Sequence, residues 1–451
     1  MNIVHLRCAA LDVHKKSVTV AVRTRVNGRE YSLETAEFRT YTTDLERLAE
    51  WLKERKVKHV AMESTGVYWK PVWNVLEGAR WKFHLLLVNP QQVKALPGCK
   101  TDRHDAKRIA EYLQQGLLRG SFVPPKQQRE WRELTRRRAH LQGDRNRVIN
   151  RIRRLLETAN VKLGSAISNV VGKTGTAILR AIAAGTSDPE RLADHVCGRL
   201  KCSRQELIAS LQGCFSEHFR WELGQLIEEL DFLDRQVAEY EVRINQSMAG
   251  CQEIIQRLCT IPTVDLITAW TLLAEIGIDM AQFPSAANLC SWAGLCPGNN
   301  ESAGKRFSGR TRKGNRYLRR TLVQNAWAVA HMNDGALQQL FFRVARRRGM
   351  PKAAVAVAHR ILEIAYYVLR DGRDYREPGA EIDARSRERM AKRLSRRLER
   401  IGFQVSLQPL PSTPKAPGPL PGQTCEKCNR WGRACIHARN AVKPPPPTLS
   451  D

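Results

Sequence analysis

Four acidic residues near the start of the chain stand where acids are costly unless they bind something. Asp12 lies in an apolar, strand-like run directly before HKK, and Glu63 directly follows the apolar VAM. Two carboxylates at adjacent strand ends repel each other unless a cation lies between them. The third place is TDRHDAKRIAEYL, where Asp102 and Asp105 are three residues apart at the start of a helical pattern, so both project from one face. Such oxygen donors suit two Mg²⁺ ions about 3.5–4 Å apart, which stabilise the attacking and leaving oxygens of a phosphoryl transfer. The expected substrate is a phosphodiester. Each acid alone has a plainer use, Asp102 as a helix cap with Asp105 completing a capping box and Asp12 as a loop residue.

A second constellation runs from Ser302 to Arg320, SAGKRFSGRTRKGNRYLRR. It carries Lys305, Arg306, Arg310, Arg312, Lys313, Arg316, Arg319 and Arg320 and no acid, with Gly304, Gly309 and Gly314 admitting close backbone approach to a phosphate. Ser302 or Ser308 in that field can attack a phosphodiester once a metal or base removes its proton. The alternative is a flexible basic loop with incidental serines. Near the C-terminus, Cys425, Cys428, Cys435 and His437 would complete a tetrahedral Zn²⁺ site, the alternative being free thiols in an unstructured tail.

These residues need scaffolding, and the pattern supplies it. Up to about Pro125 short alternating runs mix with helical spacing: Leu11 to Val22, Lys56–Met62 and Phe83–Val88 read as strands, Asp44–Lys53 as a capped helix. That is α/β, and the order strand-Asp, strand-Glu, helix Asp-x-x-Asp is what an RNase H-like nuclease domain requires. Beyond the proline pair, Leu134, Arg138, Leu141, Arg145, Val148, Ile152 and Leu155 recur at spacings of four and three, two arginines on the seam. A second heptad runs from Leu223 to Ile244, so residues 126–250 read as a coiled-coil arm with an insertion, its Arg136, Arg137, Arg147 and Arg151 available to phosphates. Residues 251–372 read as mostly helical, 373–403 as carrying a basic helix, and 404–451 as a proline-rich, unstructured tail.

The chain has 451 residues, and 74 Lys+Arg against 45 Asp+Glu leave a net charge of +29. Nucleic acid is the polyanion that usually answers such an excess. No apolar stretch approaches the ~18 residues of a spanning helix, and the start reads as a strand, not an export signal. A cytoplasmic, nucleoid-associated protein without a membrane partner is expected.

LDVHK around Asp12, MESTGVYW around Glu63, Asn89–Pro90 and KTDRHDA around Asp102 and Asp105 together resemble the N-terminal domain of the insertion-sequence-110 family of DEDD transposases. GKTGTAILRAIAAGTSDPERLA, TIPTVDLITAWTLLAEIG, SWAGLCPGNNESAGKRF and KGNRYLRR resemble that family's later segments in order, from about residue 5 to 372. The resemblance implies a RuvC-like domain over 1–125 whose four acids hold Mg²⁺. It also implies a serine-bearing domain over 251–372 in which Ser302 becomes joined to a DNA 5′ phosphate. The family's Ser-Gly is Ser302-Ala303 here, which keeps Ser308 as the second candidate. It further implies a site-specific recombinase guided by a bridge RNA, working on DNA as a dimer or tetramer in which one subunit's acids serve another's serine. A junction-resolving metal nuclease without a serine step, or a non-catalytic nucleic-acid binder, are the alternatives from the residues alone.

Overall fold

The computed structural model describes residues 4–26, 30–64, 66–90, 105–298, 300–302 and 305–377, with scattered positions between 392 and 406. Asp102, most of the expected basic helix and the Cys425, Cys428, Cys435 and His437 cluster lie outside the described residues. The chain divides into two compact units, 1–125 and 126–451. No described helix is long and apolar enough to cross a membrane.

The first unit is a mixed sheet of β1 (Arg7–Val13), β2 (Ser17–Arg25), β3 (Tyr31–Arg39), β4 (His59–Glu63), β5 (His84–Val88) and β6 (Gly120–Ser121), in the order β3-β2-β1-β4-β5-β6. β1 is antiparallel to β2 and parallel to β4, and β4 is parallel to β5. The run from Leu11 to Val22 is therefore two strands, folded back where the His14 amide donates to the Ser17 carbonyl at 2.9 Å. Helix α1 (Thr42–Glu54) connects β3 to β4, and α2 (Trp69–Leu76) connects β4 to β5. The expected side-chain cap of α1 is absent: Tyr41 holds the cap position without one, and Asp44 in the first turn favours the helix through its charge instead.

Alternation along β1 sends Leu11 and Val13 into a core with Leu48, Leu52, Met62 and Trp73, while Cys8 and Ala10 face the other way. On that second face α3 (Asp105–Gln114) packs closely because the contact is made of small residues, Ala10, Ala21 and Ala61 against Ala106 and Ala110. The Cys8 thiol donates to the Ala110 carbonyl at 3.5 Å. A mixed sheet clad by helices is consistent with the RNase H-like domain expected.

At the sheet end where β4 and β5 begin, three imidazoles stack: His5 on His59 with ring centres 4.0 Å apart, and His59 on His84 at 4.9 Å. Burial lowers the His5 and His59 pKa values below the ordinary 6.5, and neighbouring positive charge lowers them further. A depressed folded-state pKa means that stability is full above about pH 6.5 and is lost as pH falls through the folded values. Thermal midpoints measured from pH 8 to 5 will drop at the acid end, and His59→Gln will flatten that drop. An identical profile in the variant would remove the stack as its cause.

In the second unit, α4 (Lys126–Thr158) and α5 (Glu217–Ser247) pack side by side. Leu141, Val148, Ile152 and Leu156 share one core with Leu223, Leu226, Leu230, Leu233 and Val237. The two arginines on the seam are ion-paired: Arg138 reaches Glu241 at 2.8 Å and Arg145 reaches Asp234, and further along Arg151 meets Glu229 at 3.3 Å. Rising numbers on one helix meet falling numbers on the other, so the pair is antiparallel. The insertion between them, including the helix Lys173–Ala183, covers the same core.

A separate core joins α6 (Leu266–Ile276), α7 (Arg316–Val329), α8 (Ala336–Arg348) and α9 (Met350–Asp371). The basic stretch before α7 is not a plain loop. It forms a hairpin of β7 (Asn300–Ser302) and β8 (Lys305–Ser308).

Candidate functional site

The β1–β4 register ends on Leu11 opposite Met62, so Asp12 and Glu63 come next at the same level of neighbouring strands, about 4.8 Å apart along the backbone. Leu11 and Met62 point into the core beneath α1 and α2; alternation therefore turns Asp12 and Glu63 to the face that α3 covers. Asp105 opens that helix. The side chain of Asp12 is 30% exposed and accepts from His14 Nε2 at 3.2 Å; Glu63 is half-buried and already engaged.

Among the described residues no group of three His, Cys, Asp or Glu side chains is placed to hold a metal. Two of the four acids are brought together, Asp105 is placed by its backbone, and Asp102 lies outside. Carboxylate oxygens are nevertheless the donors a hard divalent cation takes, and such an ion relieves the repulsion between Asp12 and Glu63. The donor set fits.

In the second unit, the hairpin register sets Ser302 opposite Lys305 at its turn end and Ser308 opposite Asn300 at its base. Below the hairpin the chain is fastened. Gly298 N–H donates to Arg310 O at 2.9 Å, and Arg319 Nη1 donates to Gly294 O at 3.2 Å and to Thr311 Oγ1 at 2.5 Å. Gly314 has a different use from the phosphate approach expected of it. A Cβ there would stand 2.4 Å from the Gly294 nitrogen, so the missing side chain lets two backbone segments touch.

The anchor of this region escaped sequence reasoning. Glu275, in α6, has a fully buried side chain that accepts from Arg136 Nε and Nη2, both at 2.8 Å, and from Asn315 Nδ2 at 2.6 Å. Asn315 caps α7, its Oδ1 accepting from the Tyr317 and Leu318 amides at 3.1 Å. Arg132 completes the group, donating to the Ala274 and Glu275 carbonyls at 2.9 and 2.5 Å. Burial lowers the Arg132 pKa to about 10. Burial also opposes the Arg136 charge, but the Glu275 hydrogen bond and charge outweigh it and hold that pKa above its ordinary value. The available signal was an acid inside the apolar run TAWTLLAEIG and two arginines four apart on α4.

The expected phosphate-binding cations divide accordingly. Arg136 is committed to Glu275, a correction to its reading as a phosphate-binding cation: its Nε and Nη2 both donate to that buried carboxylate. Arg319 fastens the hairpin base, Arg310 is engaged, and Arg316 leans on Tyr317, while Lys305 and Arg306 are placed by backbone alone. Arg147 and Arg151 pair with Asp144 and Glu229, but both arginines are more than half exposed. Such surface pairs are worth roughly 0–1 kcal/mol and yield readily to a phosphate. Arg137, Arg312, Lys313 and Arg320 are exposed and form no ion pair with another described residue, and neither do Arg343, Arg346 and Arg347 on α8, which sequence reasoning missed.

The family model for DEDD transposases of the IS110 type, described as Transposase, matches residues 9–161, and the model described as Transposase IS116/IS110/IS902 family matches residues 255–341. The chain is 28% identical over 297 residues to the transposase for insertion sequence element IS1111A of Coxiella burnetii, covering 64% of this chain and 72% of the relative. It is 29% identical over 154 residues to the transposase for insertion sequence element IS1328 of Yersinia enterocolitica, 33% of this chain and 46% of the relative. A third relative, the insertion element IS110 uncharacterized 43.6 kDa protein of Streptomyces coelicolor, is 31% identical over 33% of this chain and 37% of its own length. The first match spans the strand acids and the helix that Asp105 opens, and the second spans Glu275, the serine hairpin and the whole of α7. Acids, hairpin and matches in this order make the chain a member of the IS110 family of transposases, enzymes that recombine DNA in the transposition of insertion sequences.

Proposed function

We propose that this transposase excises and inserts its element under the guidance of a bridge RNA, cleaving each strand by serine attack and passing through a covalent serine–DNA intermediate. Asp12, Glu63, Asp102 and Asp105 would hold Mg²⁺ in the RuvC-like domain, which when bound would lower the cost of charge on the phosphodiester oxygens. The observation that carries the reading is the shared level of Asp12 and Glu63 on parallel strands, turned toward the helix that Asp105 begins. Ser302, at the turn end of a hairpin whose base is fastened, is the proposed nucleophile. Its hydroxyl oxygen bonds to phosphorus, the bond to the departing nucleoside oxygen breaks, and the basic residues of the same segment favour the pentavalent charge. The coiled-coil arm formed by α4 and α5 serves assembly of two or four copies, so that the acids of one chain act with the serine of another.

The test uses the full-length protein with its element's DNA ends and RNA transcribed from the non-coding DNA beside its gene. DNA should remain on protein through denaturing electrophoresis, only when the RNA is present, and Ser302→Ala should remove the adduct. An adduct that survives in Ser302→Ala but not in Ser308→Ala moves the nucleophile to Ser308. Cleavage without any adduct leaves a water-using nuclease, and cleavage without RNA removes the guide.

The free cations make a separate prediction. Replacing Arg312, Lys313 and Arg320 together with alanine should flatten the slope of log K for DNA against log salt by up to about 3, near 0.9 for each phosphate left without its cation. An unchanged slope would mean that other side chains hold the phosphates.

A further inference from the structure

Tyr317 stands in the first turn of α7, at its basic end, in surroundings that no core tyrosine needs. His140 Nε2 lies 2.9 Å from its hydroxyl, and Arg316 Nη2 donates to the same oxygen at 2.8 Å. Two guanidinium groups also flank the ring, Arg136 with its carbon 4.6 Å from the ring centre and Arg316 at 4.8 Å. The ring is half-buried, while His140 and Arg316 are exposed, so the phenol end faces solvent. The surroundings are rigid on one side: Glu275 fixes Arg136, and Asn315, which caps the helix, is tied to the same carboxylate.

A phenol has one proton to give and two lone pairs to fill. Arg316 has only protons to give and takes one lone pair. If His140 donates from Nε2 it takes the second, which leaves the phenol proton for a third partner. If His140 accepts instead, the proton sits on a path from oxygen to imidazole. Either tautomer gives the phenol proton a route, and the exposed Arg316 guanidinium favours an approaching phosphodiester.

We propose that Tyr317 is a catalytic proton donor in DNA strand cleavage, protonating the departing nucleoside oxygen. As the attacking hydroxyl forms its bond to phosphorus and releases its proton to solvent, the bond to the departing oxygen breaks. The phenol proton passes to that oxygen. The phenolate then takes a proton from His140 Nε2 while Nδ1 collects one from water, which restores the phenol; the imidazole, left as its Nδ1–H tautomer, returns to the starting form by exchanging protons with water. The attacking atom is that of the serine reading above, on which this inference rests, but the role of Tyr317 holds whichever serine attacks.

The test is Tyr317→Phe, which keeps the ring between the two arginines, assayed on the element's DNA ends with oxygen or with sulfur at the bridging position, 3′ or 5′ of the scissile phosphate. A thiolate leaves without a proton. The variant should bind DNA as the parent does and cleave the all-oxygen substrate about 10²–10³-fold more slowly, a loss in the range for general acid catalysis. On the DNA with sulfur at the leaving position it should return to within about tenfold of the parent, since the step no longer needs the donor. His140→Ala should show a smaller loss with the same rescue. No loss on the oxygen substrate, or a loss that neither sulfur substrate relieves, overturns the proposal. An adduct that persists in Ser302→Ala sinks the Ser302 assignment and leaves the Tyr317 rescue intact, so the two failures are told apart.

Discussion

Asp12→Asn and Glu63→Gln should each reduce strand cleavage by about 10³-fold if these acids hold the metal as proposed, because losing several kcal/mol of charge stabilisation at the phosphate translates into that factor. DNA affinity stays close to that of the parent. Both substitutions keep the shape of the side chain and remove one negative charge, so the strands and their pairing are unaffected. The two acids occupy one level of β1 and β4 on the face that α3 covers, where their like charges repel. Each substitution therefore raises or preserves the stability of the first unit while removing activity. A chelator should reproduce the loss in the parent, and added divalent cation should reverse it. The measurements are a cleavage time course and a melting curve for each variant; full activity with Asp12→Asn, or loss of activity accompanied by unfolding, contradicts the assignment.

Glu275→Gln has the largest expected effect on stability. The carboxylate is buried and satisfies Arg136 twice, Asn315 once, and by charge Arg132 at 3.5 Å. Removing one partner of such a group leaves uncompensated positive charge in the interior, which costs about 3–5 kcal/mol. The lower end applies, since Arg136 is about a third exposed and solvent screens part of its charge. Denaturant unfolding should show the loss. Because the same carboxylate holds the cap of α7, DNA cleavage should fall even at temperatures where the variant stays folded. Arg136→Leu alone should cost less than Glu275→Gln, and a variant carrying both should recover part of the loss. If Glu275→Gln were neutral, the network would have no structural role.

The contrast between these two groups explains what a sequence can tell. The strand acids were legible because each interrupts a short continuous apolar run, the pattern that a strand covered on both faces writes into neighbouring residues. Glu275 and Arg136 are 139 positions apart, and nothing local distinguishes a buried carboxylate with partners from a helix acid facing water. The same reason hid Tyr317 and His140, which are 177 positions apart. β3 was missed because it is nearly all exposed and reads Tyr-Ser-Leu-Glu-Thr-Ala-Glu-Phe-Arg; its pairing with β2 decides its conformation, and charge suits an edge strand. The hairpin was missed because its strands, Asn-Glu-Ser and Lys-Arg-Phe-Ser, are short and mostly polar, and only their backbone pairing makes them a strand pair. The long helices were plain, but their seam arginines found partners only on the opposing helix.

Those seam pairs turn the arm into something like a notched rod. Arg138 with Glu241, Arg145 with Asp234 and Arg151 with Glu229 repeat at nearly the interval of the apolar stripe, so one stagger satisfies oil and charge together. Taking seven residues out of both strokes would shorten the rod by about 10 Å and let the remaining notches meet again. Taking them out of one stroke would leave every notch opposite the wrong tooth. Length in this protein is thus adjustable only in matched steps, and relatives with shorter or longer arms should differ by paired multiples of that step.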